Sequence, residues 1–240
     1  MEDGEQKMET LVVATKKEII QQRIEILVEA GLIPVIIDVD SFAVENAISI
    51  NLSEEDLRKT FLVVNCGVQT TNIIIIEKGK SRVVRDVFIA GETFTKMLQR
   101  NLQTNWTQAE ENKIKYGISE PAAPSSEDDV SGPLQQQVAS LLSASVKELV
   151  SEIQRSIDYY QTQGAASDKH IDRIFLCGGT MLMKGIAGYV ESRIKLPVTI
   201  FNPFTKIAPG NTPVSDPEFT FAQYAVAVGL ATRSKGDTEK

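Results

Sequence analysis

Two short segments of the 240-residue chain join glycines to hydroxyl side chains at the ends of apolar runs. The first is Asn65-Cys-Gly-Val-Gln-Thr-Thr-Asn72. An apolar run that turns at Gly67 and leaves past Gln69 through Thr70 and Thr71 presents backbone N–H groups and hydroxyls at its tip. Phosphate oxygens need such donors at close range, and a glycine lets the backbone approach them. A plain hairpin whose threonines satisfy the turn accounts for the same residues. The second segment is Phe175-Leu-Cys-Gly-Gly-Thr-Met181. A helix starting at Thr180 would aim free N–H groups at a polar or anionic ligand, and Gly178 and Gly179 would leave a flat surface for a base or ribose. A tight strand-to-helix turn explains it equally well. Neither segment is the GxGxxG of dinucleotide-binding folds or a GxxxxGK[ST] loop.

Composition excludes several other chemistries. The chain has 32 acidic and 25 basic residues, a net charge of -7, and no basic stripe to displace counterions, so nucleic acid is not an expected ligand. His170 is the only histidine, and Cys66 and Cys177 lie inside apolar runs with no metal-ligand spacing. The cysteines read as buried free thiols, and no metal site or catalytic residue is assigned. The acidic start lacks a signal peptide's basic and apolar regions. No apolar run approaches the ~20 residues that span a bilayer, so membrane association is expected through a partner and not by direct insertion, with the cytosol as the compartment. Glu152 and Arg155, three apart on a helix, fit a solvated ion pair. Trp106, the lone tryptophan, reads as a helix-packing residue.

Elements must hold these loops in place. Thr60–Val64 reads as a strand that breaks at Asn65 and resumes at Ile73–Ile76. Glu77-Lys-Gly-Lys80 is a hairpin turn, and Ser81–Ile89 returns, so three antiparallel strands are expected. Ile171–Cys177 is a strand entering Gly178-Gly179-Thr180 and then a helix to Ile194, with Val198–Phe201 as a last strand. Near the start, Glu9–Thr15 and Leu32–Val39 read as strands around a helix, Lys16–Ala30, that Gly31 ends. Parallel pairing is expected if they share a sheet. Asp40 or Ser41 is placed to cap a helix through Ile48. Further helices are expected over Thr93–Leu102, from Thr107 with a Thr107/Glu110 capping box, over Leu134–Thr162, and over Phe219–Arg233. Ser119–Pro133 is small, acidic and proline-bearing, and reads as a mobile loop.

The order of these features is more specific than either loop. A strand-turn-strand with paired threonines, a helical insert, a strand-Gly-Gly-Thr turn and an Ala-rich closing helix resemble the second half of an actin-like ATPase. Within that superfamily the chain is similar to the PilM family of the type IV pilus inner-membrane platform. The similarity lies in Leu11–Lys17, Ala30–Ala43, Arg85–Gly91, Glu152–Tyr160, Leu176–Gly185 and Ala225–Arg233. It implies an α/β, actin-like (ribonuclease H-like) fold of mixed sheets with helices, the second half largely complete and the first partial. The implied domains are a partial first one over 1–50, a second over 60–216 with a helical insert and the 119–133 loop, and a closing helix with a polar tail over 217–240. It also implies that Asn65, Gly67, Gln69, Thr70 and Thr71 form the second phosphate loop. Gly178, Gly179 and Thr180 would belong to the adenosine motif, with Glu152 and Arg155 facing the adenine approach. ATP or ADP with Mg²⁺ is the implied cofactor. Two departures stand out. The family's first phosphate loop has no counterpart in this chain, and the Asp that usually opens the second loop is Asn65. A neutral amide is no carboxylate base and a poorer partner for hydrated Mg²⁺, so at most weak ATP hydrolysis is expected.

The leading function is therefore assembly rather than turnover. The resemblance places the chain at the cytoplasmic face of the bacterial inner membrane, among other pilus platform proteins. There it would hold the N-terminal cytoplasmic tail of a PilN-like membrane protein, with nucleotide tuning the grip. An active actin-like ATPase is the competing class, marked by an acidic residue at the mouth of the phosphate loop. An FtsA-like filament or division protein is the third, and that family often ends in an amphipathic membrane helix, unlike the polar Ser234–Lys240.

Overall fold

The computed structural model describes residues 12–118, 131–163, 169–207 and 221–234. Contacts divide the chain into two units, Met1–Ile37 with Ser234–Lys240, and Asp38–Arg233. In the first unit the described element is helix α1 (Lys17–Glu29). It ends as its sequence requires: Gly31 takes a φ of +76°, a conformation that costs glycine little, and its N–H reaches the Val28 carbonyl. Among the described residues the strands expected on either side do not form. Residues 12–15 and 32–39 have no strand structure, and residues 9–11 lie outside the described ones. β-Branched runs supply propensity, but a strand exists only where a backbone partner completes a ladder, and among the described residues no ladder joins these runs. Ile19, Ile26, Val28 and Ile33 are left exposed.

The second unit opens with α2 (Asp40–Asn51). Neither expected cap acts: Val39 holds the N-cap position without a side-chain bond, and the Asp38 carboxylate accepts the Val39 N–H at 2.9 Å. Strands β1 (Thr60–Cys66), β2 (Thr71–Glu77) and β3 (Lys80–Val87) follow as an antiparallel meander. Its second turn has positive φ at Lys78 (51°) and Gly79 (73°), the geometry that matches strand twist in a two-residue hairpin. Next come α3 (Gly91–Leu102) and α4 (Trp106–Tyr116). The α4 cap is Asn105, one residue before the helix, whose side chain accepts the Gln108 N–H at 2.9 Å; the Thr107/Glu110 box is not used. Helix α5 runs Ser131–Thr162. Its first turn absorbs Ser131-Gly-Pro133, the end of the expected mobile loop, because proline suits a position whose N–H would be unpaired anyway. The rest of that loop, 119–130, lies outside the described residues.

Strand β4 (Arg173–Cys177) runs into Gly178, but no long helix follows. A 3₁₀ turn over Gly179–Leu182 stops at extended Met183, and Gly185, at φ +78°, resets the chain before α6 (Ile186–Ile194). Strand β5 (Val198–Ile200) and, after a 3₁₀ turn over Phe221–Tyr224, α7 (Ala225–Ala231) complete the unit. Residues 219–220 of the expected closing helix lie outside the described ones.

The sheet order is β3-β2-β1-β4-β5, with β1–β4 and β4–β5 parallel. Alternate residues of the central strands face two separate cores. Leu62, Val64, Ile73 and Ile75 pack beneath Val146, Leu149 and Ile153 of α5. Phe61, Val63, Ile74 and Phe175 pack against Val44, Ile48 and Val228 of α2 and α7. Burial on both faces explains why β1 and β2 read as unbroken apolar runs instead of alternating ones. The second face is held tightly at its outer layer. A Cβ on Gly229 would sit 1.6 Å from the Ala43 carbonyl oxygen, so α7 crosses α2 with no side chain between the backbones. Arg233 closes the end of α7 onto Asp38 at 2.6 Å.

These contacts separate two glycines with opposite roles. Gly229→Ala is expected to lower the unfolding free energy by about 3 kcal/mol through overpacking. Gly188→Ala in α6, where a Cβ meets nothing within 4 Å, is expected to raise it by about 0.5 kcal/mol. Urea denaturation of the two variants checks both signs.

Candidate functional site

Three chain turns meet at one end of the sheet. They are the β1–β2 loop, the entry to α3 at Gly91, and the turn after β4 at Gly178–Thr180. Their junction is the Gly67 carbonyl, which accepts the Gly91 N–H at 3.1 Å and the Thr180 hydroxyl at 2.7 Å. The Val68 carbonyl accepts the Glu92 N–H at 2.7 Å beside it. Such close approach depends on missing side chains. A Cβ on Gly91 would lie 2.5 Å from the Thr180 hydroxyl oxygen, and one on Gly178 would lie 2.3 Å from the Cys66 carbonyl oxygen. Gly178 also has a φ of +88°.

The turns border a cleft of about 700 Å³, whose other wall is helix α4 with the start of α3. Of the residues assigned in the sequence to nucleotide contacts, Gly67, Gly179 and Thr180 line it directly. Thr71 and Gly178 stand behind it, fully used in structure: the Thr71 hydroxyl donates to the Ile89 carbonyl at 2.7 Å, and the Gly178 N–H to Ala222 at 2.8 Å. Gln69 and Thr70 occupy the loop tip. Among the described residues, the N–H groups of Val68, Gln69 and Thr70 have no backbone acceptor. Of the three, Val68 lines the cleft; successive N–H groups left without backbone acceptors are donors of the kind an anion takes.

Asn65 is buried and directed inward. Its amide donates to Asn72 at 2.8 Å, and the Asn72 amide donates to the Asp86 carboxylate at 2.8 Å, so a chain of amides crosses β1, β2 and β3. The loop does not fit a metal ion. Residues 65–72 contain no carboxylate, and no group of three or more His, Cys, Asp or Glu gathers among the described residues. Glu152 and Arg155 do not line the cleft. Glu152 pairs with Arg155 and, at 3.0 Å, with Arg85 of β3, while Arg85 also donates to Ser156 at 3.0 Å. They tie α5 to the edge strand.

The α4 wall was less visible in the sequence. Lys113 is 7% exposed and its ammonium donates to the Gly91 carbonyl (3.3 Å), Thr95 (2.8 Å) and Glu110 (2.7 Å). Trp106, Glu110, Lys113 and Ile114 share one helix face, a spacing that was legible but indistinguishable from an ordinary amphipathic helix. On the rim, the Lys96 ammonium beside Glu92 holds its carboxyl below the usual range. Burial pushes the Cys66 thiol up to about 11 and the Cys177 thiol up further, so both stay protonated at neutral pH.

The family described as type IV pilus assembly protein PilM matches residues 2–235. The chain belongs to the PilM family. Among solved structures it is similar to a PilM–PilN type IV pilus biogenesis complex, with a TM-score of 0.73 at 24% identity, covering 90% of this chain and 57% of that one. It is also similar to the ethanolamine utilization protein EutJ of Carboxydothermus hydrogenoformans (TM-score 0.61, 18% identity, 90% of this chain and 61% of that one). MreB 5 of Spiroplasma citri bound to AMPPNP gives a TM-score of 0.59 at 18% identity, over 93% of this chain and 66% of that one. These likenesses make the fold actin-like. The cell division protein FtsA of Neisseria meningitidis serogroup B is 27% identical over 157 residues, 61% of this chain and 37% of the relative. The PilM-family chain thus spans 37% of the length of the FtsA relative and 57% of the chain in the PilM–PilN complex. No helix among the described residues is long and apolar enough to cross a membrane.

Two measurements probe this geometry. Thr180→Val, which removes the hydroxyl donor to Gly67, is expected to cost about 1 kcal/mol of stability in chemical denaturation. Iodoacetamide at pH 8 is expected to leave Cys66 and Cys177 unmodified in the native chain and to label both after unfolding, counted by intact mass.

Proposed function

We propose that the chain is a nucleotide-binding assembly component of the type IV pilus inner-membrane platform that holds a PilN-like partner and turns over ATP slowly or not at all. The observation that carries this reading is the cleft in which the Gly67 carbonyl joins three turns beneath unpaired donors at the loop tip. The N–H groups of Val68, Gln69 and Thr70 take phosphate oxygens. Gly179 leaves room for the sugar or base, and Lys113 holds Glu110 in place at the ribose. MreB 5, a protein of the same fold, is described bound to AMPPNP and to ADP, which supports the ligand class.

Poor hydrolysis follows from Asn65. A general base must accept a proton, and an amide already donating to Asn72 neither accepts one nor anchors Mg²⁺ through a charge. Any Mg²⁺ arrives with the nucleotide's own phosphates. Family membership and the PilM–PilN complex support the partner: a PilN-like membrane protein offering its N-terminal cytoplasmic tail, which would keep the chain at the inner face of the membrane.

Calorimetric titration of the full chain with ADP is expected to show saturable binding that changes little when Mg²⁺ is withheld, with phosphate release from ATP at the buffer rate. Absence of heat with ADP and ATP alike would remove the nucleotide reading. Asn65→Asp is expected to make binding depend on Mg²⁺. For the partner, a synthetic PilN-type tail should be retained on immobilised protein while a scrambled peptide of the same composition is not.

A further inference from the structure

We propose that Trp106 is the stacking platform for the nucleobase, so that the cleft selects ligands bearing a planar ring while tolerating which ring it is. This rests on the nucleotide reading and adds the residue that receives the base. The two ends of the cleft differ in chemistry. At the loop end Val68 lines the cleft, and its N–H, like those of Gln69 and Thr70 next to it in the loop, has no backbone acceptor among the described residues. The α4 end is apolar: Trp106 is 40% exposed and Ile114 62%, and both line the cleft. A tryptophan that only packed helices together would be covered. This one is half open, on the same helix face as Glu110 and Lys113, four and seven residues further on.

Charge at the α4 end is already committed. The Lys113 ammonium has three acceptors, Gly91, Thr95 and Glu110, leaving no N–H for a phosphate. Glu110 uses Oε2 for Lys113 and Thr95, and among the described residues nothing engages Oε1. That oxygen accepts from a ligand hydroxyl or amine. A simple anion would satisfy the loop and leave the indole and Ile114 wet. An apolar ligand would cover them and leave the loop donors unmet. A nucleotide satisfies both, with phosphates on the loop, ribose near Glu110 and base against the indole. Stacking depends on a π-face that every base has, so adenine and guanine are expected to bind alike.

Because Trp106 is the only tryptophan, its emission reports on this contact alone. The full chain is titrated with ADP, GDP and inorganic pyrophosphate, following tryptophan emission and heat in parallel. ADP and GDP are expected to quench the emission with similar affinity, and pyrophosphate to bind without quenching. Trp106→Ala is expected to weaken ADP about ten-fold and Trp106→Phe less than about three-fold, with pyrophosphate unchanged in both. Heat from ADP with unaltered emission, and equal affinity in Trp106→Ala, would overturn the platform and leave the nucleotide reading intact. No heat with any of the three ligands would overturn both. If Trp106→Ala loses pyrophosphate too, the variant is misfolded, and the emission change of the unaltered chain decides.

Discussion

The cleft depends on one backbone oxygen. The Gly67 carbonyl receives a donor from the start of α3 and another from the turn after β4, so chain segments far apart in sequence are fixed relative to the β1–β2 loop. A carbonyl oxygen has two lone pairs, and here both are directed inward. This spends the loop's acceptors on structure, while the N–H groups of Val68, Gln69 and Thr70 have no backbone acceptor among the described residues. The same arrangement forbids side chains at Gly91 and Gly178. The site is therefore rigid through backbone contacts, and its chemistry rests on which polar groups those contacts leave unused.

The amide at position 65 belongs to the same economy. In a chain running Asn65 to Asn72 to Asp86, each group donates to the next, and the terminal carboxylate lies on β3. The carboxylate that ends this chain of amides stands two strands from position 65, on the sheet's edge strand. A carboxylate at 65 would face the Asn72 oxygen and force that side chain to flip, so the amide is matched to its neighbours and not simply a lost acid.

How far the sequence was legible depended on what each signal required. β1, β2 and β4 were plain because burial on both faces makes their apolar runs continuous. Leu32–Val39 looks the same locally, yet no ladder forms there; composition cannot report a missing partner. The α4 cap went to Asn105 instead of Thr107 because both residues can cap and only the helix register chooses. Glu152 and Arg155 were readable as an ion pair, but Arg85, their third member, lies far off in the chain and only the fold brings it near. Lys113 and Trp106 were hidden for the reverse reason. Charged and aromatic residues at helical spacing look alike whether water or a cleft lies opposite.

The contact between Gly229 and Ala43 sets an order of events during synthesis. Every element of the first core precedes α7 in the chain, so that core can assemble while the ribosome is still working. The second core cannot, since its outer layer needs α2 from near the beginning and α7 from near the end. Until α7 emerges, Phe61, Val63, Ile74 and Phe175 have only half their cover. The nascent chain must pass through a one-sided sheet, the state in which apolar surface is most open to chaperones and to aggregation.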